Sequence, residues 1–224
     1  MTTPTPVTDG LVFHIDAGDT SSYPGSGNKA YNLVNSSQTM TLYNVTKQSG
    51  TGGRFNFNGT NGYMKTTTNG LLADDDVAHT VEMFVRFDQY QSTRWWLSVV
   101  GQYNNGSHHW ISHGSGGQSS AFGVWSGNTQ ISPTLKSAGQ WQHLVVTFNG
   151  NNVITGYVDG VQSQTNNNCS DFSFTNTDWT IGEPNSSNNE HFDGRITIMR
   201  LYNSALTAAE VRRNFNSSRQ RHGL

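Results

Sequence analysis

Residues 102–118 read QYNNGSHHWISHGSGGQ and gather His108, His109 and His113 around Trp110 in a run of Gly, Ser and Asn. Histidine is both a common metal ligand and a common general base. Two histidines four apart suit one ion on a helix, where i and i+4 share a face. A stretch so rich in Gly and Ser does not hold a helix. On a strand His109 and His113 would share a face yet lie ~13 Å apart, too far for a single ion. No metal is therefore expected here, and two readings of the stretch stay open: ordinary polar surface, or ligand contact. The second comes from the neighbours, because Trp95, Trp96, Tyr103, Trp110 and Trp125 fall close together. Tryptophan is largely buried on average, so some of these belong to a core. Two or three at an exposed rim would offer ring faces to sugar C–H groups while amides meet the hydroxyls. The candidate glycan rim is Trp95, Trp96, Tyr103, Asn104, His108, His109 and Trp110. In it Trp110 and Trp95 or Trp96 stack on a sugar ring, and Asn104, His108 and His109 supply hydrogen bonds.

Hydrolytic chemistry has little to work with. A glycosidase needs two carboxylates ~5–9.5 Å apart, one of them with a raised pKa. The chain has Glu82, Glu183, Glu190 and Glu210 as its glutamates. Glu210 reads as a helix cap, and Glu183 and Glu190 lie in the loop GEPNSSNNEHFDG. No serine sits in a strand–elbow–helix context, and no Cys–His arrangement is visible. Cys169, in NNNCSDF, has no basic residue nearby in sequence and reads as a bystander thiol. No catalytic residue is assigned.

The elements that would carry these residues are short strands. HTVEMFVRFD (79–88) alternates with a period of two, Val81, Met83, Val85 and Phe87 on one face and Glu82, Phe84, Arg86 and Asp88 on the other. WQHLVVTF (141–148) reads as a mostly buried strand and GRITIMRLY (194–202) as another. VITGYVDGV (153–161) holds Asp159-Gly160 between apolar runs, a strong hairpin signal because both turn residues need φ > 0. RFNFNGTNGYM (54–64) alternates and carries two Asn-Gly turns. In ALTAAEVRRNF, Thr207 and Glu210 form a capping box, with Leu206 and Val211 as a hydrophobic staple. The pattern predicts an all-β, antiparallel two-sheet sandwich with a short C-terminal helix. Residues 1–9 are expected to be a flexible arm and 10–224 the domain. The ten positions Val81, Met83, Val85, Leu144, Val146, Phe148, Ile196, Ile198, Met199 and Leu201 are expected to be buried.

Composition narrows the function classes. Charged residues make up 12% of the 224 residues and the net charge is −2, which gives no global pull toward nucleic acid or an anionic membrane. Six Trp, eight Tyr and eleven Phe supply enough apolar surface to offset chain entropy. One cysteine excludes an internal disulfide and leans toward synthesis in a reducing cytoplasm. MTTPTPVTDG has neither a basic n-region nor an apolar h-region, so no signal peptide is expected. No apolar run reaches the ~20 residues of a membrane helix.

These motifs resemble one family. GLVFHIDAGDTSSYPGSGN, FNFNGTNGYM, HTVEMFVRF, GQWQHLVVTFNGNNVITGYVDGV and FDGRITIMRLYNSALTAAEVRRNF follow in the order of laminin-G-like, concanavalin-A-like jelly-roll domains. The opening and the ending NFNSSRQRHGL resemble the versions found in structural proteins of large tailed bacteriophages. The resemblance implies a jelly roll and a non-enzymatic virion protein, a capsid decoration or tail/fibre component that also binds surface glycans. The alternatives are a free carbohydrate-binding module and, third, a glycan hydrolase, since the superfamily includes such enzymes. It further implies a capsid or tail protein as partner, a homo-oligomer on the particle, synthesis in the host cytoplasm and no membrane insertion. Arg219 and Arg221, in the basic ending, are the candidate assembly contacts.

Relatives carry an acidic pair after the first Ile of the closing strand, which often helps hold a structural calcium. Here those positions are Thr197 and Ile198. Calcium takes six to eight oxygen ligands and needs carboxylates, so the departure argues against it, and ADDD (73–76) reads as a solvated turn. No cofactor is expected, and the melting temperature should be unchanged in EDTA. A fall of many degrees would show that a bound metal holds the fold.

Overall fold

The computed structural model describes residues 3–48, 52–66, 71–72, 77–90, 96–102, 110–114, 120–123, 130–169, 179–182 and 191–224. Within 96–102, 110–114, 120–123 and at 130 only the backbone is described, Ile111 excepted. Strands are numbered in chain order. The first sheet runs β14 (Val161–Asn166), β13 (Ile154–Val158), β12 (Trp141–Phe148), β7 (His79–Phe87), β16 (Asp193–Tyr202), β5 (Arg54–Asn58) and β4 (Thr46–Gln48). The ten-residue β16 is long enough to serve two short strands along one edge. Its first half pairs β5 and its second half pairs β1 (Leu11–Asp16). The second sheet runs β11 (Gln130–Ile131), β10 (Ser120–Gly123), β9 (Trp110–Gly114), β8 (Trp96–Gln102), β15 (Trp179–Ile181), β6 (Tyr63–Thr66), β3 (Thr39–Tyr43) and β2 (Lys29–Tyr31). All of the pairings are antiparallel.

Alternation places the core where the sequence predicts it. All ten residues expected to be buried are buried. Between the sheets, Met83, Leu144 and Met199 of the first sheet join Met40, Met64, Ile111 and Trp179 of the second in one cluster. The turn signals hold as well. Asp159 and Gly160 have φ of 52° and 73°, the values that a two-residue hairpin turn demands. Asn58 Oδ1 accepts from the amides of Thr60, Asn61 and Gly62, which knots the turn between β5 and β6.

The outer face of the first sheet departs from a simple period of two. Glu82 and Phe84 are fully buried beside their inward-facing neighbours, because helix α1 (Ala208–Ser218) and a terminal 3-10 turn (Arg219–His222) cover that face. A register shift in β16 between Ile196 and Ile198 also switches parity. Ile196 packs in the core, while Ile198 packs outside it against Phe84 and Phe215. The helix begins as read. The Thr207 side chain accepts from Glu210 N, the Glu210 carboxylate accepts from Thr207 N at 2.8 Å, and Leu206 and Val211 share a buried cluster.

One buried carboxylate ties this layer together. Glu82 accepts from Arg200 Nη1 (2.6 Å), His143 Nε2 (3.1 Å) and Asn214 Nδ2 (2.6 Å). These donors come from β16, β12 and α1. Asn214 also accepts the Val7 amide at 2.7 Å, and the Tyr202 hydroxyl donates to the Val7 carbonyl. Arg213 donates to the Thr5 carbonyl. Residues 5–7, expected in a flexible arm, are therefore docked against α1, and Val7 is buried. A Pro/Thr-rich composition predicted an irregular segment but could not reveal these partners.

Burial alone would raise the Glu82 pKa. The Arg200 charge and the His143 and Asn214 hydrogen bonds outweigh it and hold the carboxylate at about 2. Burial lowers His14 and His79 to about 4 and His222 to about 3, with Arg200 and Arg221 adding to it at His14 and His222 respectively. Glu82→Gln leaves a cation buried without its counter-charge, and should cost roughly 3–5 kcal/mol in denaturant unfolding; a loss under about 1 kcal/mol would show that the network does not hold the layer. The three histidine values lie below the ~6.5 of a free side chain, so the unfolded chain takes up protons first as pH falls. Stability is complete above about pH 6.5 and declines toward pH 4, and Glu82 adds its own loss below about pH 4.3. Urea midpoints measured from about pH 7 to about pH 4 should fall steadily, whereas a flat profile contradicts neutral buried histidines.

Candidate functional site

The histidine- and tryptophan-rich stretch maps onto the β8–β9 hairpin. Trp96 opens β8 and Trp110 opens β9, while Trp95, Tyr103, Asn104, His108 and His109 lie outside the described residues. The register decides one point about the expected rim. Trp96 pairs with Gly114, and Trp110 lies four positions along from Gly114 on β9, or ~13 Å. The two tryptophan positions therefore stand near opposite ends of the hairpin. Position 113 has the strand parity of the buried Ile111, whereas 110, 112 and 114 have the opposite parity. Among the described residues, no group of three or more His, Cys, Asp or Glu is placed to hold a metal ion.

The same register carries the site across the whole second sheet. Lys29 pairs with Thr41, Thr41 with Lys65, Lys65 with Thr180, and Thr180 with Gly101. The β8–β9 ladder ends at the Val100–Ile111 pair, and Trp110, the residue before Ile111, pairs with Gly123. Cross-strand partners share a face, and Met40, Leu42, Met64 and Ile181 on the opposite parity fill the core. Lys29, Thr41, Lys65 and Thr180 thus have the outward parity of this sheet, although Thr180 itself is buried.

Two residues along the strands, Tyr43 pairs with Tyr63 on that same face. Their rings stack at 4.5 Å between centroids with 13° between planes. Tyr43 remains 41% exposed. On its other side the chain runs through Asn28, whose carbonyl accepts from Leu42 N, to Gly27, where a side chain would meet nothing within 4 Å. An open aromatic face flanked by hydroxyls and amines suits a sugar ring. The sequence reading missed Tyr43, Tyr63, Lys29 and Lys65. The alternation in TMTLY and YMKT marks them as outward, but their adjacency depends on strand register.

The remaining candidates have structural duties. Glu210 caps α1, Glu82 is sealed under it, and Glu183 and Glu190 lie outside the described residues. Burial pushes the Cys169 thiol up to about 11, which removes its thiolate at neutral pH. Arg221 pairs with Asp16, donating from Nη1 to Oδ2 at 2.7 Å and from Nη2 to Oδ1. Burial would raise the Asp16 pKa, but this pairing and the Gly18 amide lower it. Of the two arginines read as assembly contacts, Arg219 is exposed, its guanidinium 5.8 Å from the Phe215 ring centre, while Arg221 is engaged within the fold. Arg213 and His222 are likewise engaged, so the basic ending is folded back rather than loose. At the two positions where calcium carboxylates would stand, Thr197 Oγ1 is 3.2 Å from His222 Nε2 and Ile198 is buried. These residues do not fit a calcium ion, and Asp74, Asp75 and Asp76 lie outside the described residues. Among the described residues no helix is long and apolar enough to cross a membrane.

Comparison with known proteins agrees with this architecture. A family model described as "Concanavalin A-like lectin/glucanases superfamily", of the laminin G type, matches residues 58–212. No curated protein sequence matches the chain. Among solved structures, the binding domain of Paraclostridial Mosquitocidal Protein 1 superposes with a TM-score of 0.71 at 17% identity, over 93% of this chain and 52% of that one. Trypanosoma rangeli sialidase superposes at 0.70 and 17%, over 97% and 36%. Domain 4 of an extracellular arabinanase from Geobacillus stearothermophilus, in complex with arabinotriose, superposes at 0.65 and 22%, over 90% and 96%. This chain spans about half of the toxin chain and about a third of the sialidase chain. At these identities the likeness is one of fold.

Proposed function

The chain belongs to the concanavalin A-like lectin/glucanase superfamily, and from that premise we propose that it is a non-enzymatic, lectin-like module that binds glycans on the outward face of its second sheet. The observation that carries this reading is the stacked Tyr43–Tyr63 pair, open on one side and set two residues along the strands from the Lys29–Thr41–Lys65 row. The two described glutamates are both committed, one to the helix cap and one to a sealed ionic knot, which weighs against a glycan hydrolase. A single site of this kind binds weakly, with a Kd of ~1 mM, or about −4 kcal/mol.

Weak sites matter when repeated, and avidity multiplies affinity ~10²–10⁴-fold. The proposed setting is accordingly the surface of a tailed-phage particle, as a head decoration or a tail or fibre component made in the host cytoplasm. Its support is the resemblance of the chain's opening and ending to phage structural proteins. A capsid or tail protein would be the partner, with Arg219 at the contact and copies of the chain side by side. A free carbohydrate-binding module is the second reading. The arabinanase domain favours it, because that domain has almost the same extent as this chain and its structure contains arabinotriose.

The test uses the chain displayed as a multimer on a glycan array. It should bind at least one glycan class, Tyr43→Ala should weaken that binding roughly tenfold, about 1.4 kcal/mol, and no incubation should release reducing ends. A multimer that binds nothing, or that ignores Tyr43→Ala, contradicts the reading. Release of reducing ends would return the hydrolase.

A further inference from the structure

We propose that the second-sheet face binds linear polysaccharide chains along their length, one sugar unit resting on Tyr43 and a unit farther along the same chain resting on Tyr31. This rests on the glycan-binding reading above and adds the form of the ligand: an internal stretch of a chain in place of a single terminal sugar.

Strands β2 and β3 pair at the end of the second sheet. On β2, Lys29 and Tyr31 stand on either side of Ala30, which is fully buried in the core. On β3, Thr41 and Tyr43 stand on either side of Leu42, also a core residue. Successive side chains on a strand point to opposite faces, so Lys29, Tyr31, Thr41 and Tyr43 share the outward face, and none of the four is buried. The hydrogen bonds that hold Tyr31 come from its backbone: its amide donates to the Ser22 carbonyl at 2.7 Å, and its carbonyl accepts from Ser22 Oγ at 2.9 Å. They fix the free edge of β2 and leave the ring to the face.

Register sets the spacing. Tyr31 pairs with Thr39, and Tyr43 lies four residues farther along β3. The two positions are thus roughly 13 Å apart along the strands and one strand spacing, about 5 Å, apart across them. Tyr43 does not lean toward Tyr31. Its ring is stacked on Tyr63, which belongs to β6 on the side of β3 away from β2. The 4.5 Å between those ring centres is close to the ~4.8 Å between strands, so the Tyr43 ring stands over its own strand. A ligand that touches both Tyr43 and Tyr31 must span four residues of strand, which suits several sugar units in a row.

The strip between the two rings is polar. Lys29 and Thr41 are cross-strand partners there, and their amine and hydroxyl can bond the hydroxyls of the intervening units. No charge on the sugar is required. Beyond Tyr43 the strip has no end wall where Gly27 stands, because a side chain at that position would meet nothing within 4 Å. A chain can therefore continue past Tyr43, as an internal stretch must.

The test uses fragments of arabinan, galactan and mannan, and of any other linear glycan retained on the array, from single sugars up to hexamers. They compete in solution for the multimer on the parent polysaccharide. In at least one series the affinity should rise about fivefold or more once a fragment is long enough to reach both rings, and then level off. Tyr31→Ala should remove that rise, so that hexamers bind no better than disaccharides. Tyr31→Phe should retain it, because the ring face makes the contact. Tyr43→Ala should weaken fragments of every length. Unchanged melting temperatures show that the variants are folded, and the length series on the unaltered protein stands whether or not they are. Equal affinity for single sugars and hexamers, a rise that survives Tyr31→Ala in a folded variant, or retention only of glycans displayed as single terminal sugars overturns the inference and leaves the glycan-binding reading standing. Binding to no glycan overturns both.

Discussion

The Glu82 carboxylate is the interaction on which the arrangement of this molecule depends. A charge at zero exposure is tolerable only when partners compensate the lost hydration, and Glu82 has three: Arg200, His143 and Asn214. Because the three come from two strands and the helix, satisfying one carboxylate fixes α1 on the sheet. Asn214 passes the constraint on to Val7, so both ends of the chain are fastened to the same point. An apolar residue at position 82 could fill the volume, but it would give the helix no directional partner.

Closing one face has a consequence for function. The outer side of the first sheet is covered in part by α1, the terminal turn and residues 5–7, while on the outward side of the second sheet Lys29 and Tyr43 are exposed and Thr180 is buried. That surface is not apolar. It carries a stacked tyrosine pair, threonines, two lysines and glycines, and so offers stacking and hydrogen bonding in place of a dry interface. The wall positions are set by rigid β-pairing, which suits a site meant to be filled without rearrangement.

Much of this was legible in the residues. The strand patterns identified the ten buried positions, Asp159-Gly160 identified its hairpin, and Thr207 with Glu210 identified the start of the helix. What escaped has a physical reason in each case. Glu82 and Phe84 looked outward because alternation reports only two faces and is silent on a helix that returns to cover one of them. Ile196 and Ile198 are separated to opposite faces by a bulge that no local signal announces. Tyr43 and Tyr63, twenty positions apart in the chain, become neighbours through strand register. The tryptophans of the β8–β9 hairpin drew attention because they are close in sequence, yet the same register puts Trp96 and Trp110 near opposite ends of it.

The central claim is that ligand recognition takes place on the outward face of the second sheet. Backbone amide shifts recorded during titration with an oligosaccharide that the multimer binds test it most directly. The account predicts perturbations concentrated at Thr41, Tyr43, Tyr63, Lys65 and Thr180, extending toward Gly101 and Trp110, with α1 and β14 unmoved. Perturbations centred on α1, on β14 or on the Asp16–Arg221 pair, with the second sheet silent, would contradict it.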